Sequence, residues 1–169
     1  MIAYGAESGN QSGLDYLNKK TTPEQIVTAF EKTRQARIPT MAYFLLGIPV
    51  ETYEDEIRTI EFAKKIKPTY AQFSILSPFY GTALYNDAVS RGWYREIDAQ
   101  NPLDKDLKRP VIISKNWDEE KLRLIVREAY RRFYFRPAYM ARYLLSLRSL
   151  AQLSDSLKTV TRLFRWFSR

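Results

Sequence analysis

The stretch Met41–Thr52, MAYFLLGIPVET, constrains this chain more than any other. Ala42–Leu46 is apolar at every position, as in a parallel strand covered on both sides. Gly47-Ile48-Pro49 then breaks the strand, and Gly47 allows a sharp turn with room for a ligand. Thr52 is a helix N-cap, followed by Tyr53-Glu54-Asp55, whose acidic groups favour the helix dipole. The carboxyl ends of parallel strands are where barrels and open sheets alike build their sites. The ligand is therefore expected at this turn.

The surrounding chain repeats the same unit. Ile2–Ser8 reads as a strand leaving through Gly5-Ala6-Glu7-Ser8-Gly9, and Gln11–Asn18 as a short helix. Thr22-Pro23-Glu24-Gln25 combines an N-cap, a proline at the first helical position and a capping-box glutamine. Ile26, Ala29, Phe30, Thr33 and Ala36 recur behind it at helical spacing. A second helix over about Glu54–Lys65 carries Ile57, Ile60, Ala63 and Ile66 on one stripe. Tyr70–Leu76 is a third strand, Ser77–Thr82 a loop, and Ala83–Arg91 a helix closed by Gly92. Strand and helix alternate three times, which predicts an α/β fold with a parallel sheet. Three units cannot close an eight-fold barrel but can form part of one.

After Trp93 the pattern stops. Trp93–Asn116 reads as an irregular connection with one short strand at Val111–Ile113. Asp118–Phe135 is helical, with Leu122, Ile125, Val126, Ala129 and Phe133 on one face; beyond Pro137 a long helix is predicted over Ala138–Phe167. The domains expected are thus 1–92, a connection 93–116, and a basic helical extension 117–169. The net charge of +8 lies in that extension: residues 121–169 hold 12 Lys/Arg against 2 Asp/Glu, and residues 1–120 hold 15 against 17. Arg162, Arg165, Trp166, Phe167 and Arg169 suit a helix lying on an anionic membrane surface, or one docking on the barrel or another chain. Basic and aromatic residues also suit nucleic acid, but no binding module is recognisable.

Cysteine and histidine are both absent, so the chain has no disulfide, no thiolate and no imidazole to offer a metal, and no carboxylate cluster replaces them. No apolar run is long enough to cross a bilayer, and no secretory signal precedes the first strand, which predicts a cytoplasmic protein. A strand opening at Met1 without a lead-in predicts a natural protein that continues upstream.

Three strand ends carry a family resemblance: Gly5-Ala6-Glu7-Ser8-Gly9, Phe44–Thr52 and Tyr70–Thr82. In this order and at βα spacing, they resemble the second half of a radical S-adenosylmethionine (SAM) core domain. More narrowly, they resemble the cobalamin-binding class, which includes anaerobic magnesium-protoporphyrin ester cyclases and hopanoid-modifying enzymes. Arg132–Pro137 resembles the segment after the barrel in that class. The likeness is close over residues 1–92 and looser over 117–145.

The resemblance implies a partial (β/α)₆ barrel in which these are the fourth, fifth and sixth strands. It places SAM at their carboxyl ends: Glu7 and Ser8 at the ribose hydroxyls, and Lys19, or Lys20 beside it, at the SAM carboxylate. Leu46, Gly47, Ile48, Leu76 and Ser77 would lie against adenine, and Pro78, Phe79, Tyr80, Gly81 and Thr82 against a small, lipophilic substrate. The reaction implied is radical methylation, cyclisation or a related modification. The [4Fe–4S] cluster and cobalamin would be held by upstream residues, in the missing first half of the barrel. Two departures matter. Val50 stands where the pattern has Gly, and the three-cysteine loop is absent, so this stretch by itself should be inactive.

Each of these residues also has a plain reading. Glu7 can cap a helix, Lys19 and Lys20 can be solvated, Gly47–Pro49 can be an ordinary turn, and Phe79 and Tyr80 can simply pack. Glu51 is read as structural, holding the loop or helix start. The alternative function is a non-catalytic interaction module on a degenerate barrel, with its basic tail at a partner or at the inner membrane face.

Overall fold

A computed structural model of the chain describes residues 1–98, 108–137 and 139–141. They are β1 (Ile2–Glu7), α1 (Gln11–Tyr16), α2 (Pro23–Gln35), β2 (Thr40–Leu46), α3 (Tyr53–Ile66), β3 (Tyr70–Ile75), α4 (Ala83–Ser90), β4 (Tyr94–Asp98), β5 (Lys108–Ile112) and α5 (Glu119–Tyr134). The fold is mixed α/β, with a three-stranded parallel sheet in the order β1-β2-β3. The helix predicted over Ala138–Phe167 falls almost wholly outside the described residues, as do the tail's Arg162, Arg165, Trp166, Phe167 and Arg169.

The helix starts form as their sequences predict. Thr22 Oγ1 accepts from Gln25 N, Gln25 returns a bond to the Thr22 amide, and Pro23 opens α2. Thr52 and Asp55 make the same reciprocal box at α3. Each box satisfies two otherwise orphaned amides.

One sheet face carries the core. Tyr4, Ala42, Phe44, Ala71 and Phe73 share it through the parallel register. Tyr4 lies on Phe30 of α2 with ring centroids 5.0 Å apart and bonds Thr33 at 2.7 Å, and Phe44 stacks on Phe73 at 5.4 Å. α3 buries Ile60, Ala63 and Ile66, together with the polar Glu56 and Thr59; Ile57 is only half-buried.

The expectation that β2 is covered on both faces is corrected. Its second face holds Met41, Tyr43 and Leu45 beside Tyr70, Gln72 and Ser74, and Tyr43 and Tyr70 remain 39% and 40% exposed. Among the described residues α2 covers the first face, while on the second only Leu45, at the strand's end, packs into a buried cluster and the rest stays partly exposed. The connection after α4 is also more ordered than predicted: β4 and β5 form an antiparallel pair, with Tyr94 opposite Ile112 and Glu96 opposite Pro110. The alternation in β4 was too short to separate from a loop.

The chain divides into two compact units, Met1–Ala129 and a second from Tyr130 onward. In the first, α5 buries Leu122, Ile125, Val126 and Ala129. In the second, Phe133, Tyr134 and Tyr139 form a ring cluster, and the Arg136 guanidinium lies 4.5 Å from the Phe133 centroid.

Candidate functional site

At the end of β1 the pairing with β2 shifts between Gly5 and Glu7, and Glu7 takes a left-handed backbone at φ 64°. This bulge turns the Glu7 side chain back over Gly5, where a Cβ would collide with its carboxylate. Downstream, α1 closes in a Schellman turn: Asn18 is left-handed and Lys19 N donates to Leu14 O at 2.8 Å. Lys19 is thereby returned to the sheet, where its Nζ lies 3.0 Å from Glu7 Oε1. Gly5 pairs with Tyr43, so this ion pair stands on the open face. The pair is partly exposed, and pairs of this kind contribute little stability. Its interest is placement: one carboxylate and one ammonium, twelve residues apart in the chain, converge on one open surface.

Ser8 lies on the other side. It is fully buried, and its hydroxyl donates to Glu51 at 2.6 Å. Lys20 is exposed.

The turn after β2 is held by side chains from α3 and from residues 116–117. Gly47 N and Ile48 N donate to Glu56 Oε1 at 2.7 and 3.1 Å. Trp117 Nε1 donates to the carbonyls of Ile48 and Glu51 at 3.1 and 3.0 Å. Asn116 Nδ2 donates to those of Pro49 and Glu51 at 3.1 and 3.2 Å. Gly47 has φ 80° and faces Leu122 so closely that no side chain fits. The amides of Gly47 and Ile48 are therefore already engaged, and a base lying here meets an apolar surface. That surface is itself packed: Leu46, Ile48 and Leu76 are buried, and Ile48 and Leu76 share a cluster with Ala88 and Ile112, against which Leu45 and Trp93 pack.

The loop after β3 is different. Ser77 is half-buried and Pro78 buried, but Phe79 and Tyr80 are 71% and 88% exposed, and Gly81 and Thr82 are exposed as well. Tyr80 extends an aromatic row to Tyr85 and Tyr94, with centroids 5.2 and 5.3 Å apart. Tyr16 donates to Asp87 of α4 at 3.2 Å; burial and the Asp87 charge push its hydroxyl up to about 12.

Between the first two turns lie two buried carboxyls. Glu51 accepts from Ser8 and from Asn10 Nδ2 at 3.2 Å, while Thr59 Oγ1 takes the Gly9 amide at 2.9 Å. Burial raises the pKa of Glu51, and burial followed by the Glu51 charge raises that of Glu56 well above the usual carboxylate range. Sequence reading assigned Glu51 a structural part, which its bonds to Ser8 and Asn10 match, but passed over Glu56, Asn116 and Trp117. A glutamate on the apolar stripe of α3 was the one available signal for Glu56. Among the described residues no group of three or more potential ligands could hold a metal, and no helix is long and apolar enough to cross a membrane.

Comparison with known proteins adds a set of relatives. No family model matches the chain. It is 32% identical to an uncharacterized methyltransferase of Pyrococcus horikoshii over 136 residues, covering 80% of this chain and 29% of that protein. It is 26% identical to the anaerobic magnesium-protoporphyrin IX monomethyl ester cyclase of Rubrivivax gelatinosus, covering 82% and 24%. Against the bacteriochlorophyllide d C-8(2)-methyltransferase of Chlorobaculum tepidum it is 29% identical, covering 54% and 21%. Its homologues thus include a cyclase and a methyltransferase of the cobalamin-binding radical SAM class. It spans roughly a quarter of the length of the relatives it matches, 29% and 24% for the first two.

Proposed function

We propose that residues 1–92 are three βα units of a partial (β/α)₆ barrel and form the SAM-binding wall of a radical SAM enzyme. The observation that carries this reading is the convergence of Glu7 and Lys19 over Gly5 on the open sheet face. The missing Cβ makes room there for the two side-chain tips, and their two charges match two polar groups of the ligand. Glu7 would accept from the ribose hydroxyls and Lys19 would hold the SAM carboxylate, each a charge-assisted bond. Leu46, Gly47, Ile48, Leu76 and Ser77 would form the floor and wall beside adenine, with Ser8 behind Glu7 as a support. Pro78–Thr82, with Phe79 and Tyr80 projecting, would face a small, lipophilic substrate.

SAM with a reduced [4Fe–4S] cluster supplies hydrogen abstraction, or methyl transfer when cobalamin takes part. The 169 residues contain no cysteine, so the thiolates that hold iron would come from outside them. What this chain contributes is binding and orientation. The extension from residue 117 would carry the basic surface, meeting a partner or an anionic membrane face. A non-catalytic binding module, from a chain that never held a cluster, is the second reading.

Titration calorimetry with SAM tests the site. Binding that weakens by about tenfold or more in both Glu7→Ala and Lys19→Ala supports it. A folded chain whose SAM affinity ignores both substitutions overturns it. The enzyme and module readings separate on the coding DNA: an in-frame Cys-x₃-Cys-x₂-Cys segment before residue 1 favours the enzyme, an in-frame stop the module.

A further inference from the structure

We propose that Glu51 and Glu56 form a carboxyl–carboxylate bridge, sharing one proton, that fixes the β1–α1 turn against the β2–α3 turn. They are thereby positioning residues for the adenosyl site, an assignment that rests on the reading above. The geometry is a division of labour. Glu51 commits Oε1 to the first turn, through Ser8 and Asn10. A side chain at Gly13 would strike that same oxygen, so α1, with Glu7 before it and Lys19 after it, sits directly on the Glu51 carboxyl. Glu56 commits Oε1 to the second turn, through the amides of Gly47 and Ile48. The remaining oxygens, Glu51 Oε2 and Glu56 Oε2, are buried and meet no donor among the described residues.

Two ionised carboxylates in this setting would be uncompensated buried charges, whereas one proton between them gives both free oxygens a partner. The proton belongs to Glu56. Its pKa is the more strongly raised of the two, and ionised Glu51 would be the acceptor of its proton. The surroundings add little competing charge. Ser8, Asn10 and Thr59 are neutral, Asn116 and Trp117 meet Glu51 at its backbone carbonyl, and α5 presents Leu122 to Gly47. Arg58, held by Asp55 and Asn10, is the cation that favours ionised Glu51.

The test compares wild type, Glu56→Gln and Glu56→Leu from about pH 5 to about pH 9, reading amide-exchange protection at Gly47 and Ile48 and binding of S-adenosylhomocysteine. A glutamine supplies a permanent donor in place of the proton. Glu56→Gln should keep protection and affinity within about threefold and flatten the decline that wild type shows as pH rises. Glu56→Leu should lose about tenfold or more in both. Glu56→Gln behaving like Glu56→Leu, or a wild-type profile already as flat as that of Glu56→Gln, overturns the bridge. If S-adenosylhomocysteine binds none of the three, the adenosyl reading fails, and the exchange data still decide the bridge.

Discussion

The turns after β2 and β3 begin alike and end alike, yet they are built for different work. Each follows a parallel strand, each contains a left-handed glycine (Gly47 at φ 80°, Gly81 at φ 81°), and each closes on a threonine N-cap, Thr52 or Thr82. The first is anchored by residues from far along the chain: Asn116, Trp117 and Leu122, besides Glu56. The second is tied chiefly to itself, with Thr82 N and Oγ1 both on the Phe79 carbonyl at 3.1 and 2.6 Å. A rigid turn suits a ligand part that never varies, and an exposed one suits a part that does. Local sequence chemistry sets the shape of both turns, and long-range partners set their stiffness.

The largest effect that would break this comparison is at Trp117. Trp117→Ala removes a buried ring and two bonds to the first turn, and should destabilise by about 3–5 kcal/mol. Urea unfolding measures it, and a cost below about 1 kcal/mol would mean that the turn holds itself.

Gly47→Ala comes next. The left-handed backbone costs about 1–2 kcal/mol and the clash with Leu122 about 1–3 more. Leu122→Ala in the same chain should relieve the clash, so a double-mutant cycle should show coupling between the two sites. Additive losses would remove α5 from the account of this turn.

The pH dependence sharpens the contrast in sign. The folded pKa of Glu56 lies well above its ordinary 4.5, so the folded chain retains a proton that the unfolded chain releases. Its contribution to stability is therefore complete below about pH 4.5, falls as pH rises above that, and is gone once Glu56 ionises. Glu56→Gln should remove that slope, as read in thermal midpoints across pH. An unchanged slope would place the titration elsewhere.

Smaller effects belong to the second turn. Gly81→Ala meets the same backbone penalty in open space, and should cost only about 1–2 kcal/mol, less than Gly47→Ala. Phe79→Ala and Tyr80→Ala should leave the unfolding midpoint within about 0.5 kcal/mol of wild type. A large loss at either ring would show that the second turn is also a packing element.

The sequence by itself determined the βα alternation, the parallel sheet, the helix starts at Thr22 and Thr52, and the apolar stripe of α5. These rest on periodicity and on hydrogen bonds that close within three or four residues, so the interacting groups are legible side by side. Tertiary structure alone decided that, among the described residues, Tyr43 and Tyr70 stay exposed on one face of the sheet, that Ser8 turns inward while Glu7 turns outward, and that Asn116 and Trp117 grip a turn more than sixty residues earlier. It also decided the state of Glu56: a carboxyl's charge depends on which groups surround it, and those groups come from separate parts of the chain.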